Sequence, residues 1–275
     1  MSQLPKPRFF FKGFPEDVRF RAHSVPESLE IARGTLYEAW FRALKLSPYL
    51  EQGWTTGQWL SAEAQETGKL FGDLRGEQFD AWWMAKGFTL FAETRAFRHV
   101  SVLGGTGEKA HGPQASSASL ALKVPLDVSP ATLKRQFDAL LRQHHPQYQN
   151  FDRWGASSAR VRMENRKLTS VSINLFLKVY EAWRQRGGPD QQVRLYDIGE
   201  ALRLNPRFSV TADDTPYEAS DKHRKMSLTV SEYLEKAKNL VAHASEGYFP
   251  RTDDHPWIER LSRTRRGEES LAGPA

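Results

Sequence analysis

Basic side chains are concentrated in one part of the 275-residue chain. Residues 134–186 contain 11 Lys and Arg but only four Asp and Glu, whereas the rest of the chain contains 28 basic and 29 acidic side chains. The net charge of +6 therefore originates in this basic segment, residues 134–186. A local excess of one charge sign attracts polyanions, so the segment is the first candidate for a nucleic-acid contact.

Six side chains of the basic segment have types and spacing that suit a phosphate backbone: Arg153, Trp154, Arg160, Arg162, Arg166 and Lys167. If residues 159–163, Ala-Arg-Val-Arg-Met, are extended, Arg160 and Arg162 point to one side while Val161 and Met163 point into the core. Arginine offers paired planar donors to phosphate, and the small side chains of residues 155–158 allow close approach. A helix that starts at Thr169 and Ser170 would add backbone amide donors.

The same charges have a structural explanation as well. A solvated basic surface can pair with carboxylates from elsewhere in the chain, such as Asp197 or Glu200. Concentrated charge of one sign with interleaved aromatic residues nevertheless favours nucleic-acid binding more than an ordinary run of basic residues does.

A second feature points in the same direction. Residues 195–210, LYDIGEALRLNPRFSV, resemble the first half of a helix-turn-helix, with Ile198 and Leu202 inward and Gly199 as the small residue. Arg203 stands where the turn usually has glycine, and Pro206 leaves little room for a recognition helix. A short buried connector explains the same residues.

Signatures of catalysis and of cofactor or metal binding are missing from the sequence. It has no GxxxxGK[ST], GxGxxG, HExxH or GxSxG motif, and with no cysteine it can form no disulfide, thiol nucleophile or iron–sulfur centre. His144 and His145 could ligate a metal or transfer protons, but the capping of a helix end is the favoured role. The adjacent pairs at 213–214 and 253–254 are expected to be solvated turns or caps. We therefore predict no enzyme activity, no cofactor and no metal site.

The chain is expected to divide at residues 104–119, GGTGEKAHGPQASSAS, a flexible linker with little apolar surface to bury. It would separate a Trp-rich helical domain, residues 1–103, from a basic helical domain with short strands, residues 120–250. Five of the eight tryptophans lie between residues 40 and 83, which predicts an aromatic helical core. Residues 251–275 are expected to form a partly disordered tail.

Apolar residues at helical spacing predict most of the elements. One helix is expected from a cap at Ser24 to Ser47, and another over 76–87, with Gly87 as its C-cap. Further helices are expected over 130–144, 170–186 and 195–204, and a last one from Ser227 or Thr229 to Gly247. Alternating apolar residues at 119–126, and more weakly at 100–103, predict strands. The expected fold is mostly α (α+β): two helical domains with a small sheet near the middle of the chain.

These features together predict a non-enzymatic, cytoplasmic nucleic-acid-associated protein of bacterial regulatory or mobile-element type. DNA is the expected partner, contacted through its backbone by residues 134–186, while the N-terminal domain binds a protein partner or a second copy. The alternative is a protein-interaction or scaffold module whose basic face docks an acidic partner. No apolar run is long enough for a signal peptide or a membrane span, so no membrane association is expected.

Overall fold

Helices dominate the computed structural model, which describes residues 6–10, 14, 18, 21–94, 122, 124–145, 148–149, 157–164 and 167–258. The chain forms two compact units, residues 1–96 together with 157–275, and residues 97–156. Ten α-helices lie in the described ranges, so the mainly helical character predicted from sequence is confirmed.

The N-terminal part of the first unit is a series of short helices. Ser24, Thr35, Ser47 and Ser61 each accept a backbone N–H of the helix that follows, because free amides at a helix start need an acceptor. The elements are α1 Val25–Ala32, α2 Leu36–Lys45, α3 Pro48–Thr56, α4 Ala62–Phe71, α5 Phe79–Trp82, a π-helical turn Trp83–Gly87 and α6 Phe88–Phe91.

Two predicted helix boundaries in this part are wrong. The single helix expected between Ser24 and Ser47 is divided, because Gly34 has a left-handed φ of 71° and Thr35 begins a new helix. Gly87 does not end its helix but has a helical φ of −55° and lies inside it. A Cβ at this position would lie 2.6 Å from the Trp82 ring, so close packing rather than capping requires the glycine.

The C-terminal part of the first unit contains α8 Ser170–Gln185, α9 Leu195–Ala201 and α10 Pro216–Ser245. The prediction of α8 is confirmed, whereas α9 starts as predicted but ends at Ala201 rather than at Leu204. The predicted start of α10 at Ser227 or Thr229 is wrong, since the helix begins at Pro216. Thr215 and Glu218 form a reciprocal capping box at this start, which stabilises the first half of α10, where the helix has little apolar surface.

One hydrophobic core joins these helices. Its buried residues come from α1–α6 and from α8–α10, so helices on both sides of residues 104–119 contribute to it. Trp40 and Trp83 are fully buried, and the Trp40 ring stacks on Phe249 with centroids 5.1 Å apart. The predicted aromatic core is thus present, whereas the predicted linker at 104–119 lies outside the described residues.

The described part of the second unit centres on α7 Pro130–His144. Ser129 caps the helix and Pro130 occupies its first turn, as the sequence predicts. No side chain of α7 is fully buried, and Phe137 keeps 39% of its surface exposed.

The predicted sheet is wrong. The described ranges contain no strand, and their only bridge joins Arg8 to His23. Residues 100–103 and 119–121 lie outside these ranges, and Val124 and Leu126 are 54% and 91% exposed in irregular backbone. An alternating pattern produces a sheet only where a second strand accepts its backbone hydrogen bonds, and the described part of the chain offers no such strand to Val124–Leu126.

Candidate nucleic-acid interface

Three of the six predicted phosphate-binding side chains lie in described parts of the chain. Arg160, Arg162 and Lys167 are all exposed, and they are called the basic strip below. Arg153, Trp154 and Arg166 lie outside the described residues.

The backbone of the basic strip has the inside–outside alternation expected from sequence. Val161 and Met163 are buried, with 8% and 6% of their surfaces exposed. Arg160 and Arg162 alternate with them along the chain and face solvent. The backbone bends at Arg160 and Val161 rather than forming a strand, yet the alternation leaves both arginines exposed.

Two backbone hydrogen bonds hold this segment on the core. The Val161 N–H donates to the Leu90 carbonyl with an N···O distance of 3.0 Å, which is typical of a backbone hydrogen bond. The Glu164 N–H donates to the Phe249 carbonyl at 2.7 Å. The strip is therefore held by α6 on one side and by the segment that follows α10 on the other, although it belongs to no helix or strand.

A buried carboxylate fixes the residues that precede the strip. Glu93, 6% exposed, accepts hydrogen bonds from the Ser157 hydroxyl at 2.6 Å and from the Ser158 N–H and hydroxyl at 2.5 and 2.7 Å. Thr94 adds a hydrogen bond from its hydroxyl to the Ser158 carbonyl at 3.0 Å. Sequence reasoning identified the small residues here but not this clamp, because Glu93 is 64 positions away from Ser157 along the chain.

The cations of the strip have no carboxylate partner among the described residues. Of the acids considered from sequence, Glu200 instead accepts a hydrogen bond from the Tyr196 hydroxyl at 3.0 Å. Several other arginines of the first unit are paired, for example Arg251 with Asp253 at 2.8 Å. The charge of the strip is therefore not neutralised within the described structure.

The start of α8 lies directly after the strip. Thr169 accepts the Ser172 N–H at 3.2 Å, so the predicted cap is confirmed. The helix dipole adds positive potential beside Lys167, which stands two residues before the cap.

The residues that resemble a helix-turn-helix form a connector. α9 packs on α10 so closely that a Cβ on Gly199 would lie 2.5 Å from Met226. Arg203 adopts the left-handed φ of 50° that glycine usually supplies, and a 3-10 turn, Pro206–Phe208, follows. No recognition helix occurs in the described backbone between this turn and Pro216.

The histidine and aspartate pairs have structural roles where they are described. His145 is the C-cap of α7, and its N–H donates to the Leu141 carbonyl at 2.8 Å. Asp214 accepts the Thr211 N–H and pairs with Lys222 at 2.7 Å. Hydrogen bonds from Arg251 lower the pKa of Asp253 to about 2. Over the described ranges, no three His, Asp or Glu side chains are grouped closely enough to hold a metal ion.

A cavity of about 810 Å³ in the first unit was not predicted from sequence. Its lining includes four aromatic side chains, Tyr49, Tyr180, Trp183 and Trp257, together with Arg184, Asp190 and Lys238. These residues come from four separate stretches of the chain, so no local pattern could have indicated their convergence.

Comparison of the chain with family models, curated proteins and solved structures found no match. Among the described helices, none combines the length and apolar character needed to cross a membrane.

Proposed function

We propose that this protein binds the phosphate backbone of nucleic acid, with DNA as the expected form, through the basic strip. One observation carries the proposal: Arg160 and Arg162 face solvent side by side without a carboxylate partner in the described structure, on a segment whose alternate residues are buried. Because the backbone of this segment is already anchored, contact with two phosphates orders only the two side chains.

The chemistry of the strip favours backbone contact over base recognition. Guanidinium groups form paired hydrogen bonds to phosphate oxygens, and Lys167 adds a compact charge beside a helix N-terminus. Contacts of this kind position a duplex but carry no sequence information. We therefore expect affinity for DNA that varies little with base sequence.

The test is the salt dependence of binding to a fluorescently labelled DNA duplex, measured by anisotropy. Each neutralised phosphate contributes roughly −0.9 to the slope of log affinity against log salt, so Arg160→Ala with Arg162→Ala should reduce the slope by about 1.8. Between about 50 and 200 mM salt, the loss of affinity should then be roughly twelvefold smaller than in the parent protein.

A matched control removes the same charge elsewhere. Arg194 and Arg207 are also exposed basic residues of the first unit, so Arg194→Ala with Arg207→Ala changes net charge equally. We expect the control to keep the parent slope. Absence of DNA binding at low salt, or equal slopes for the two double variants, would refute the proposal.

One observation favours the second candidate, an interaction module that docks an acidic protein. α7 has an apolar stripe of Leu133, Phe137, Leu140 and Leu141, none of them fully buried, beside the exposed cations Lys134 and Arg135. A stable protein complex in size-exclusion chromatography, with no nucleic acid released by a high-salt wash, would favour this function over the first.

A further inference from the structure

The aromatic cavity is the volume of about 810 Å³ that is lined by the rings of Tyr49, Tyr180, Trp183 and Trp257. Its size lies within the range of ligand pockets, which are mostly apolar with a few polar groups that fix orientation. Leu60 and Pro189 also line it and are exposed, so the cavity is open to solvent. It belongs wholly to the first unit and includes no residue of the basic strip.

The four rings lie in two tilted pairs. The centroids of Tyr49 and Trp257 are 4.8 Å apart with the rings at 55°, and those of Tyr180 and Trp183 are 5.7 Å apart with the rings at 34°. Tyr49, Trp183 and Trp257 are half-buried, so each of these rings keeps part of its surface for a ligand. Grooves lined by aromatic rings in this way are the surfaces on which proline-rich peptides dock.

The polar atoms of these rings are donors that the fold leaves unused. The four residues carry two indole N–H groups and two phenol hydroxyls, and none of these groups has a hydrogen-bond partner among the described residues. Only 4% of the surface of Tyr180 is exposed, yet its hydroxyl is neither paired there nor fully enclosed, so it opens on the cavity. Burial raises the pKa of this phenol to about 12, so it remains a protonated donor at neutral pH. A poorly solvated donor is stabilised by an acceptor, so the cavity favours a ligand rich in acceptors.

The cavity wall also has one carboxylate without a partner in the described part of the chain. Arg184 is paired with Glu51 at 3.2 Å. The Lys238 ammonium lies 4.5 Å from the Trp183 ring centroid, so both cations of the wall already have interactions within the fold. Asp190 is exposed, and no described cation pairs with it. The wall therefore complements a ligand that has a basic group beside an uncharged apolar body.

We propose that the aromatic cavity binds a proline-rich peptide in the polyproline II conformation, with prolines on the four rings and a flanking Lys or Arg at Asp190. Proline has no backbone N–H and polyproline II has no internal hydrogen bonds, so the carbonyls of such a peptide are available to the donors of the cavity. Because proline fixes φ, the peptide loses little conformational entropy on binding. The proposal is independent of the proposed DNA contact, since it uses none of the same side chains.

The experiment is isothermal titration calorimetry of the whole chain with a blocked peptide of eight prolines followed by one arginine. The comparison is a Gly-Ser peptide of equal length with the same arginine, which has the carbonyls and the charge but neither the proline rings nor the fixed conformation. The proline peptide should bind saturably, and the Gly-Ser peptide at least about tenfold more weakly. No saturable binding of the proline peptide at about 1 mM, or equal affinity for the two peptides, would overturn the proposal.

Two tyrosines of the first unit supply a matched pair of variants. Tyr180→Phe keeps the ring and removes only the hydroxyl donor, so binding of the proline peptide should weaken about fivefold. Tyr233 packs on Phe176 with centroids 5.4 Å apart and does not line the cavity, so Tyr233→Phe should leave the affinity unchanged. Equal affinities of the two variants would contradict the proposed donor contact.

Asp190→Asn tests the contact with the basic group separately. It should weaken the arginine-containing peptide about threefold, as expected for an exposed ion pair, and leave unaffected a peptide that has glutamine in place of the arginine. An equal effect on both peptides would place the arginine elsewhere and refute the proposed orientation. Tyr180→Phe and Asp190→Asn should both keep the salt slope of DNA binding, so this proposal and the proposed DNA contact can fail independently.

Discussion

Two regions of the first unit use arginine in opposite ways. In the helical region of residues 25–92, Arg33 pairs with Asp80 at 2.6 Å and Arg75 with Asp73 at 2.5 Å. In the basic strip, Arg160 and Arg162 have no such partner among the described residues. The arginines of the first region, Arg33, Arg42 and Arg75, are paired with carboxylates within the fold, whereas those of the strip remain available to an external anion.

The two regions also differ in what keeps them folded. Residues 25–92 bury an aromatic cluster that includes Trp40 and Trp83, each fully buried. Next to the strip, only the few side chains that alternate with its arginines are buried. Hydrogen bonds to neighbouring elements hold the backbone of this segment in place. Substitution should therefore affect stability in the first region and binding in the second.

The largest effect should come from the aromatic core. Trp83 is fully buried, and its indole N–H donates to the Ser28 hydroxyl at 3.0 Å. Trp83→Ala removes both the packing and this partner, so the free energy of unfolding should fall by about 3–5 kcal/mol. Urea denaturation followed by circular dichroism measures the change.

The basic strip supplies the control for that measurement. Arg160→Ala with Arg162→Ala removes exposed side chains without described partners, and each change should alter the free energy of unfolding by about 0.5 kcal/mol or less. A destabilisation by the double variant as large as that of Trp83→Ala would break the distinction between the two regions.

An intermediate effect is expected at Glu93, which connects the helical region to the strip. Glu93→Gln replaces one of the two accepting carboxylate oxygens with an NH2 group, so the hydrogen bonds from either Ser157 or Ser158 lose their acceptor, at a cost of about 1–3 kcal/mol of unfolding free energy. Because residues 157–158 lead into the strip, the variant should also weaken DNA binding. Glu66→Gln, at an exposed position of α4, should change neither property.

The smallest effect concerns pH. Burial lowers the pKa of His243, and the nearby His255 and Arg251 lower it further. Since its folded-state pKa lies below the unfolded value of about 6.5, the unfolded state binds more protons as pH falls below about 7. The free energy of unfolding should therefore decrease between about pH 7.5 and 5.5, by at most about 1.4 kcal/mol per pH unit.

His243→Asn identifies the source of that pH dependence. The variant should flatten the stability profile in this window, whereas His144→Asn, at an exposed position of α7, should leave it unchanged. Asp253 does not contribute here, because its pKa is lowered to about 2 and its stabilisation is lost only as pH falls below about 4. A profile that stays equally steep without His243 would contradict the assignment.

Sequence reasoning succeeded where the signals are local. Ser129 with Pro130, and Thr169 with Ser172, define helix starts within one turn of backbone, and both starts were predicted correctly. The start of α10 was missed because its first half is polar, so an apolar stripe alone could not indicate it. The π-helical turn Trp83–Gly87 and the division at Gly34 depend on packing between helices, which a local pattern does not contain.

The sequence by itself determined the helical character, the caps of α7 and α8, the concentration of charge in residues 134–186 and the alternation around Arg160 and Arg162. Each of these depends on neighbours within a few residues. The tertiary structure alone decided that no described carboxylate reaches the strip, that Glu93 clamps residues 157–158, and that four aromatic rings converge with Lys238 on one cavity. These contacts join residues tens to hundreds of positions apart, and only the packing of the helices brings them together.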